Sequence, residues 1–187
     1  MLDILVCNGP SRKDFDLNQL DDHNVYGCNI AALEYANVSR SIVIDQPVVD
    51  QLVAGGVDRE TIILAEGEQQ FEPEGKPGGR YKNNAGVFGL QQMIKHGSKK
   101  IYVLGMDCLL AEGDFLGNVY LGKENFASKV AFDDQRRRLA YVDWFCQQNP
   151  DIKFVFCFPD QTKRFNKMEA RNAVGLPFSK LKERLNA

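Results

Sequence analysis

Four residues that could hold an anion come directly after the first apolar run of the chain. Residues 2–7 are mostly apolar, and Asn8-Gly9-Pro10-Ser11 follows them. Backbone N–H groups bind phosphate well where a strand ends and a glycine leaves the backbone open. The same four residue types are also standard turn formers. The motif therefore predicts phosphate binding at residues 8–11, with a plain turn as the alternative.

A second candidate anion site opens a helix in the middle of the chain, at Asn84-Ala85-Gly86. Glycine in a first helical turn costs about 1 kcal/mol relative to alanine. It also lets a ligand approach the amino terminus, where free N–H groups and the helix dipole attract phosphate. The pattern favours ligand binding by Asn84, Ala85 and Gly86. Close packing of Gly86 against a helix or strand is the alternative.

Polar residues end three other apolar runs of the chain. Gly105 and Asp107 follow residues 100–104, Asp45 follows residues 41–44, and Asn29 follows residues 25–28. Parallel α/β sheets place their ligands at this edge. The Asp107 carboxylate could accept a sugar hydroxyl, bind Mg²⁺ or cap the turn that follows it. We expect Asn29, Asp45 and Gly105 to contribute to nucleotide binding.

Two cations precede the helix that begins near Asn84. Arg80 and Lys82 could neutralise a diphosphate or a leaving phosphate, so they join Asp107 as candidate catalytic residues. Solvated loop charges are the alternative for both. The run 136–138 is three arginines and is interpreted as the solvated face of a helix. With only two histidines in the chain, a histidine-based metal site is not expected.

The apolar runs are continuous rather than alternating, which is typical of strands covered on both faces. Helical patterns lie between several of them. The sequence therefore predicts a doubly wound, mostly parallel, Rossmann-like α/β sheet with helices on both faces, in one domain spanning 1–187. The predicted strands lie at 2–7, 25–28, 41–44, 61–64, 100–104 and 152–158, and the predicted helices at 47–54, after 84, at 133–148 and at 178–185.

Two longer segments lack either pattern, at 65–82 and 108–132. Long irregular segments of compact domains are commonly lids. Each follows a predicted strand, so each would overhang the ligand edge of the sheet. We expect the lid to be residues 108–132.

Composition excludes several classes of protein. With 23 Lys and Arg against 25 Asp and Glu, the net charge of −2 does not suit binding to nucleic acid. No stretch approaches the roughly 20 apolar residues of a membrane span. The five cysteines are odd in number and widely spread, which suits reduced thiols. A cytoplasmic protein is expected, and a homo-oligomer stays open.

The order of these motifs resembles that of bacterial sialyltransferases of the lipooligosaccharide type. Residues 4–16, followed by residues 25–29, resemble the start of those enzymes, which have a Gly-Asn-Gly-Pro-Ser strand-loop and a Cys-Asn pair at similar separation. Their Thr-Ser-Gly helix and Gly-x-Lys-x-Ile-Tyr-x-x-Gly-x-Asp strand are similar to residues 84–88 and 97–107. Residues 154–159 are similar to their last core strand.

The resemblance implies that the protein binds a nucleotide-activated sugar such as a CMP-sugar and transfers the sugar to a glycan acceptor without a metal or another cofactor. It implies binding of the cytidine monophosphate part by residues 8–11, Asn29, Ala85 and Gly86. The family's arginine corresponds to Lys82 or, with a small shift, to Arg80. Its catalytic tyrosines fall on Leu109 and near Phe115, and no histidine follows His96.

Two other functions remain open from the sequence. The Gly-Pro-Ser strand-loop is also similar to a related group with pterin pyrophosphokinase activity. In that case Asp45 and Asp107 would hold Mg²⁺ for phosphoryl transfer. A nucleotide-binding protein without catalysis is the third hypothesis. If the protein is a transferase, the segment 108–132 retains Tyr120 and Lys123 and could supply a base from its acids, which are Glu112, Asp114 and Glu124.

Overall fold

A computed structural model describes residues 1–65, 70–71, 81–82, 84–110, 117–126 and 132–187. The side chains of residues 70–71, 81–82 and 132–134 are outside this description.

A parallel sheet of seven strands forms the centre of the molecule. In chain order its strands are β1 (Asp3–Val6), β2 (Asn24–Cys28), β3 (Arg40–Val43), β4 (Ile62–Leu64), β7 (Lys100–Leu104), β8 (Lys153–Phe158) and β9 (Ala173–Pro177). Across the sheet the order is β4-β3-β2-β1-β7-β8-β9, and every neighbouring pair is parallel. A separate antiparallel pair joins β5 (Gln70–Phe71) to β6 (Tyr81–Lys82). The predicted doubly wound α/β fold is confirmed.

Helices cover both faces of the sheet. They are α1 (Ala31–Glu34), α2 (Gln46–Ala54), α3 (Ala85–Lys95), α4 (Phe132–Gln148) and α5 (Phe178–Leu185). Leu5, Val103 and Phe154 pack on the side of α3 and α4. Their strand neighbours Ile4 and Tyr102 pack on the side of α5. Since successive strand residues face opposite sides, these runs had to be apolar throughout.

The first strand lies where the strand order changes direction. The chain proceeds from β1 outward through β2, β3 and β4, and then returns to place β7 on the other side of β1. Pairs such as Ile4–Val25 and Ile4–Tyr102 fix the register of β1 on its two sides. Ligands of open α/β sheets bind outside the carboxyl ends of the strands at such a point. Residues 8–11 and 105–107 meet there.

Three elements differ from the sequence prediction. Strand β9 was not predicted, because Gly175 and Pro177 interrupt its short apolar pattern and it lies at the edge of the sheet. The segment 65–82 was expected to be irregular, but the pairing of β5 with β6 lies within it. Helix α1 is a single turn, too short to leave a periodic pattern.

Candidate functional site

A polar cavity of about 210 Å³ lies at the carboxyl ends of β1, β2, β3 and β7. It is bounded by the loops after these strands, by the first turn of α3 and by one face of α4. We call it the polar cavity. Most of the predicted site residues line it, namely Asn8, Gly9, Asn29, Asp45, Asn84, Ala85, Gly86, Gly105 and Asp107. The structure thus brings together residues that are far apart in the sequence.

The other predicted site residues are placed differently. Pro10 and Ser11 begin a 3₁₀ turn, Pro10–Arg12, and Ser11 lines a second cavity instead. Lys82 ends β6, but its side chain is outside the described residues, as is all of Arg80. Within the predicted lid, residues 111–116, which include Glu112, Asp114 and Phe115, are likewise outside them. The roles predicted for these residues stay predictions.

Asp107 is held by the loop after β1. One carboxylate oxygen accepts a hydrogen bond from the backbone N–H of Ser11 at 2.8 Å, and the other accepts from the Ser11 hydroxyl. Asp107 is only 7% exposed. Burial raises its pKa to about 6, although the hydrogen bonds from Ser11 and the charge of Arg12 oppose the rise. These hydrogen bonds come from the turn Pro10–Arg12. Asp107 therefore caps that turn and not the turn that follows it in the sequence.

Gly9 and Gly105 allow the loops after β1 and β7 to touch. The N–H of Gly9 donates to the carbonyl of Gly105 at 2.8 Å. A Cβ on Gly9 would overlap both this carbonyl and the Asp107 carboxyl carbon. Gly105 has φ +71°, and a Cβ there would lie 2.8 Å from the Cys7 carbonyl oxygen. These contacts require both glycines whether or not a ligand is bound.

The first turn of α3 contributes backbone donors to the polar cavity. The side chain of Asn84 caps the helix by accepting from the N–H of Val87 at 3.0 Å. The N–H groups of Ala85 and Gly86 precede the first internal hydrogen bonds of the helix and line the cavity. A Cβ on Gly86 would lie 2.9 Å from Met106 Cε and 3.2 Å from Cys7 Sγ. Close packing is therefore a sufficient reason for Gly86.

Asn8 leaves an acceptor without a partner at the same cavity. Its backbone carbonyl accepts from the N–H of Val119 at 2.8 Å, but its side-chain Oδ1 is buried and has no hydrogen-bond partner among the described residues. Burial of an unsatisfied acceptor costs about 1–3 kcal/mol. A ligand that donates a hydrogen bond to Asn8 would remove this cost.

Asn29 and Asp45 lie on the far side of the polar cavity from Asp107. Asn29 adopts a left-handed conformation with φ +53°, and its N–H donates to the Ile42 carbonyl at 2.9 Å. Asp45 stands at the cap position of α2 but makes no side-chain cap hydrogen bond. Its carboxylate is therefore not committed to that helix. In the described parts of the chain, no group of three or more His, Cys, Asp or Glu side chains has a metal-binding arrangement.

Arg138 is a cation at the polar cavity, although its sequence pattern predicts only the solvated face of a helix. All three arginines of 136–138 are exposed, as predicted. Arg138 also lines the cavity, together with Gln135 and Val142 of the same helix. The spacing of these residues, three and then four apart, puts them on one helical face. This spacing was the signal that could have identified Arg138.

A buried arginine, Arg12, joins the loop after β1 to the segment 117–126. Arg12 is 1% exposed, and its Nε donates to the Cys7 carbonyl at 2.5 Å. Its two terminal nitrogens bind the Glu34 carboxylate at 3.0 and 2.8 Å, and Nη2 also donates to the Tyr120 hydroxyl at 2.8 Å. Tyr120 in turn donates to Glu34 at 2.8 Å. We call these three side chains the Arg12 cluster.

The Arg12 cluster also changes the protonation of Glu34. Partial burial raises the pKa of Glu34, but the hydrogen bonds and charge of Arg12 outweigh it and hold the pKa below its usual value. Glu34 is therefore ionised at neutral pH and pairs with Arg12. The sequence reading did not assign a role to Arg12 or Glu34, because nothing in the linear pattern shows that the two residues meet.

A second cavity, of about 440 Å³, opens on the other side of Asp107. It lies at the carboxyl ends of β7, β8 and β9, and its walls are mostly apolar, so we call it the apolar cavity. Met106 and Asp107 line both cavities. The sequence did not predict the apolar cavity, because one of its walls is β9.

The buried carboxyl of Asp107 should make the stability of the protein depend on pH. Its native pKa of about 6 lies above the value of about 3.9 expected in the unfolded chain. The stabilisation from its proton is complete below about pH 4 and is lost as the pH rises through about 6. A difference of about two in pKa corresponds to about 3 kcal/mol.

We therefore expect Asp107→Asn to change this pH dependence. An amide does not titrate, yet it can accept from the Ser11 N–H and donate to the Ser11 hydroxyl. Relative to wild type, the free energy of unfolding of the variant should rise by about 3 kcal/mol between about pH 4 and about pH 7. Urea unfolding across this range measures the difference. Parallel pH curves for the two proteins would contradict the burial of Asp107.

Comparison with known proteins identifies no family for this chain. No family model matches the chain, and no curated protein matches its sequence. Among solved structures, a match is found to a protein from Burkholderia pseudomallei that is named as an exported protein. The match has 14% identity and a TM-score of 0.32, and it covers 100% of this chain and 92% of the other. A similarity this low carries nothing about activity.

The comparison does bear on the expected compartment. The cytoplasmic localisation predicted from the sequence does not agree with this neighbour, which is named as an exported protein. The cytoplasmic prediction is therefore not retained. None of the helices in the described part of the chain has both the length and the apolar composition needed to cross a membrane.

Proposed function

We propose that the protein is a glycosyltransferase-like enzyme that binds a nucleotide-activated sugar of the CMP type and transfers the sugar to a hydroxyl of a glycan acceptor. The observation that carries this proposal is the position of Asp107. Its carboxylate borders both cavities, and its pKa of about 6 suits a general base near neutral pH.

The polar cavity is assigned to part of the donor. Its volume of about 210 Å³ is smaller than the roughly 300–1,000 Å³ usual for whole ligands. We therefore place the phosphate and the ribose there. The N–H groups of Ala85 and Gly86 and the guanidinium of Arg138 suit the phosphate. Asn8 Oδ1 suits a ribose hydroxyl, because it is a buried acceptor that meets no donor in the described part of the chain.

The proposed reaction is a single displacement. The acceptor hydroxyl oxygen forms a bond to the anomeric carbon of the sugar, and the bond from this carbon to the phosphate oxygen breaks. The proton of the hydroxyl passes to the Asp107 carboxylate. The nucleoside monophosphate leaves with the electron pair and remains beside Arg138. Each oxygen of Asp107 has a lone pair beyond the one used by Ser11, so it can still accept this proton.

Binding of CMP tests the assignment of the polar cavity. We expect calorimetry to show CMP binding that EDTA does not abolish. Arg138→Gln should weaken it about tenfold, because a charged hydrogen bond to phosphate is lost. Arg137→Gln is the matched control, since Arg137 is exposed on the same helix but does not line the cavity.

The same titration separates the alternatives. If CMP does not bind, or if both arginine variants weaken it equally, the donor site is assigned wrongly. Tight binding of Mg-ATP in place of CMP would instead support the pyrophosphokinase hypothesis, in which Asp45 and Asp107 hold the metal.

A further inference from the structure

The apolar cavity has the size of a small-molecule site. Its volume of about 440 Å³ falls within the range of about 300–1,000 Å³ found for ligand pockets. It lies beside the polar cavity, and Asp107 stands between the two. No step assigned to the polar cavity requires a second space of this size and character.

The walls of the apolar cavity are suited to a ring or a branched hydrocarbon. They are formed chiefly by Val103, Phe156, Phe158, Phe165, Met168 and Val174. Among its described lining residues, Asp107 carries the only formal charge, and Ser11 and Asn166 are the other polar side chains. A carboxylate at one end of an apolar cavity attracts a hydrogen-bond donor and repels an anion.

The aromatic part of the wall is held in place by neighbouring residues. Phe158 lies where a side chain on residue 175 would be, since a Cβ on Gly175 would come within 2.7 Å of its ring. The rings of Phe158 and Phe165 pack with their centroids 4.5 Å apart. The cavity therefore does not depend on the closure of loose side chains.

Asn166 attaches the segment that carries Phe165 to the loop after β7. Its backbone N–H donates to the Leu109 carbonyl at 2.8 Å, and its side-chain amide donates to the carbonyls of Cys108 and Leu110 at 3.0 and 3.2 Å. Phe165 also pairs with Leu110 in an isolated β-bridge. The segment around Phe165 is thus fixed to the loop after β7 at the entrance of the apolar cavity. Phe165 and Val174 remain 47% and 40% exposed at this entrance.

We propose that the apolar cavity is a binding site for a neutral aromatic or alicyclic small molecule that directs a hydroxyl or amine group toward Asp107. The ring lies against Phe158 and Phe165, and the donor group meets the Asp107 carboxylate. The existence of this site does not require nucleotide binding. Its role as the acceptor site does rest on the proposed function, and it then indicates that the glycan acceptor carries an apolar ring.

A matched pair of fluorescent probes tests the ligand class. N-phenyl-naphthylamine is neutral, aromatic and carries one N–H donor, whereas anilinonaphthalene sulfonate adds an anionic group to the same ring system. We expect the neutral probe to bind with a stoichiometry of one and the sulfonate at least about tenfold more weakly at neutral pH. Equal affinity of the two probes, or no binding of the neutral one, would overturn the proposal.

Two variants at the entrance test the location of the site. Phe165→Ala removes an aromatic contact and should weaken binding of the neutral probe about fivefold. Val174→Lys should weaken it by at least as much. Val53→Lys is the matched control, because Val53 is 46% exposed on α2 and lines neither cavity. The location is wrong if Val53→Lys lowers the affinity as much as Val174→Lys does.

Competition with CMP separates this proposal from the proposed function. We expect the neutral probe to stay bound when CMP is added. Displacement of the probe by CMP would show that the probe binds in the polar cavity, and it would overturn the proposal of a second site. Failure of CMP to bind, with probe binding and its variants as expected, would overturn the proposed function and leave the apolar site intact.

Discussion

Asp107→Asn is expected to lower turnover of a CMP-sugar by a factor of about 100 to 10,000, which is the usual contribution of a general base. The amide cannot take the proton of the acceptor hydroxyl, whereas its hydrogen bonds to Ser11 can be kept. The affinity for CMP should change by no more than about twofold, because Asp107 is not assigned to the phosphate. Release of CMP from the donor, with and without an acceptor, measures the rate.

The pH profile gives an independent measure of the same step. Wild-type turnover should fall about tenfold for each pH unit below about 6, as the carboxylate of Asp107 becomes protonated. Asp45→Asn is the control, because Asp45 borders the polar cavity alone. The Asp45→Asn variant should weaken donor binding more than it lowers kcat. Equal loss of kcat in both aspartate variants would favour paired metal ligands over a single base.

A wild-type protein that binds CMP but releases none from a CMP-sugar would contradict the catalytic role of Asp107. It would leave the third hypothesis, a nucleotide-binding protein without catalysis. Turnover that persists undiminished in Asp107→Asn would exclude Asp107 as the base and direct attention to the acids of the predicted lid, of which Glu124 lies among the described residues.

Arg12→Met is expected to lower the free energy of unfolding by about 3 kcal/mol. Methionine keeps much of the apolar stem, but the Cys7 carbonyl loses its side-chain donor and Glu34 loses its counter-charge. The pairing with Glu34 contributes little, because the Glu34 side chain is 43% exposed and solvent screens its charge. Most of the loss comes from the buried Cys7 carbonyl, because the Tyr120 hydroxyl still donates to Glu34.

Urea unfolding of three arginine variants tests this expectation. Arg40→Met is the matched control, because Arg40 is exposed and makes one hydrogen bond, to the Ser39 carbonyl; it should change stability by less than about 0.5 kcal/mol. Arg12→Lys keeps the charge but cannot reach the Cys7 carbonyl, Glu34 and Tyr120 together. Its free energy of unfolding should lie between those of wild type and Arg12→Met. If Arg12→Met is as stable as Arg40→Met, the Arg12 cluster does not hold the loop and the segment 117–126 together.

The sequence predicted the strands of the central sheet better than it predicted the site. Lys100–Leu104 was placed correctly, and the other predicted strands agree within about two residues, because a strand buried on both faces must be apolar throughout. The motifs at residues 8–11 and 84–86 lie at the carboxyl edge of the sheet, where the sequence predicts them. Strand β9 was not predicted from the sequence, because it is an edge strand that contains glycine and proline.

The candidate site was harder to predict because its details depend on contacts between distant residues. Nothing in the residues around Arg12 shows that it meets Glu34 and Tyr120. The glycine at position 9 predicts room for a ligand, whereas in the structure Asp107 and Gly105 already occupy that space. Arg138 was recognised as exposed but not as a residue of the polar cavity, since its role depends on where α4 lies. Residue types predict a chemistry, and packing determines which atoms remain available for it.

The Arg12 cluster also bears on the order in which the molecule assembles. The hydrogen bond from Arg12 to Tyr120 joins residues that are 108 positions apart. Closing so long a loop costs entropy before any contact can offset it, so such contacts form late in folding. The amino-terminal strands β1 to β4 can pair while the segment 117–126 is still separate. Gly117 and Asn118 of this segment line the polar cavity. The cavity should therefore acquire this wall near the end of folding, after much of the sheet that supports it is already in place.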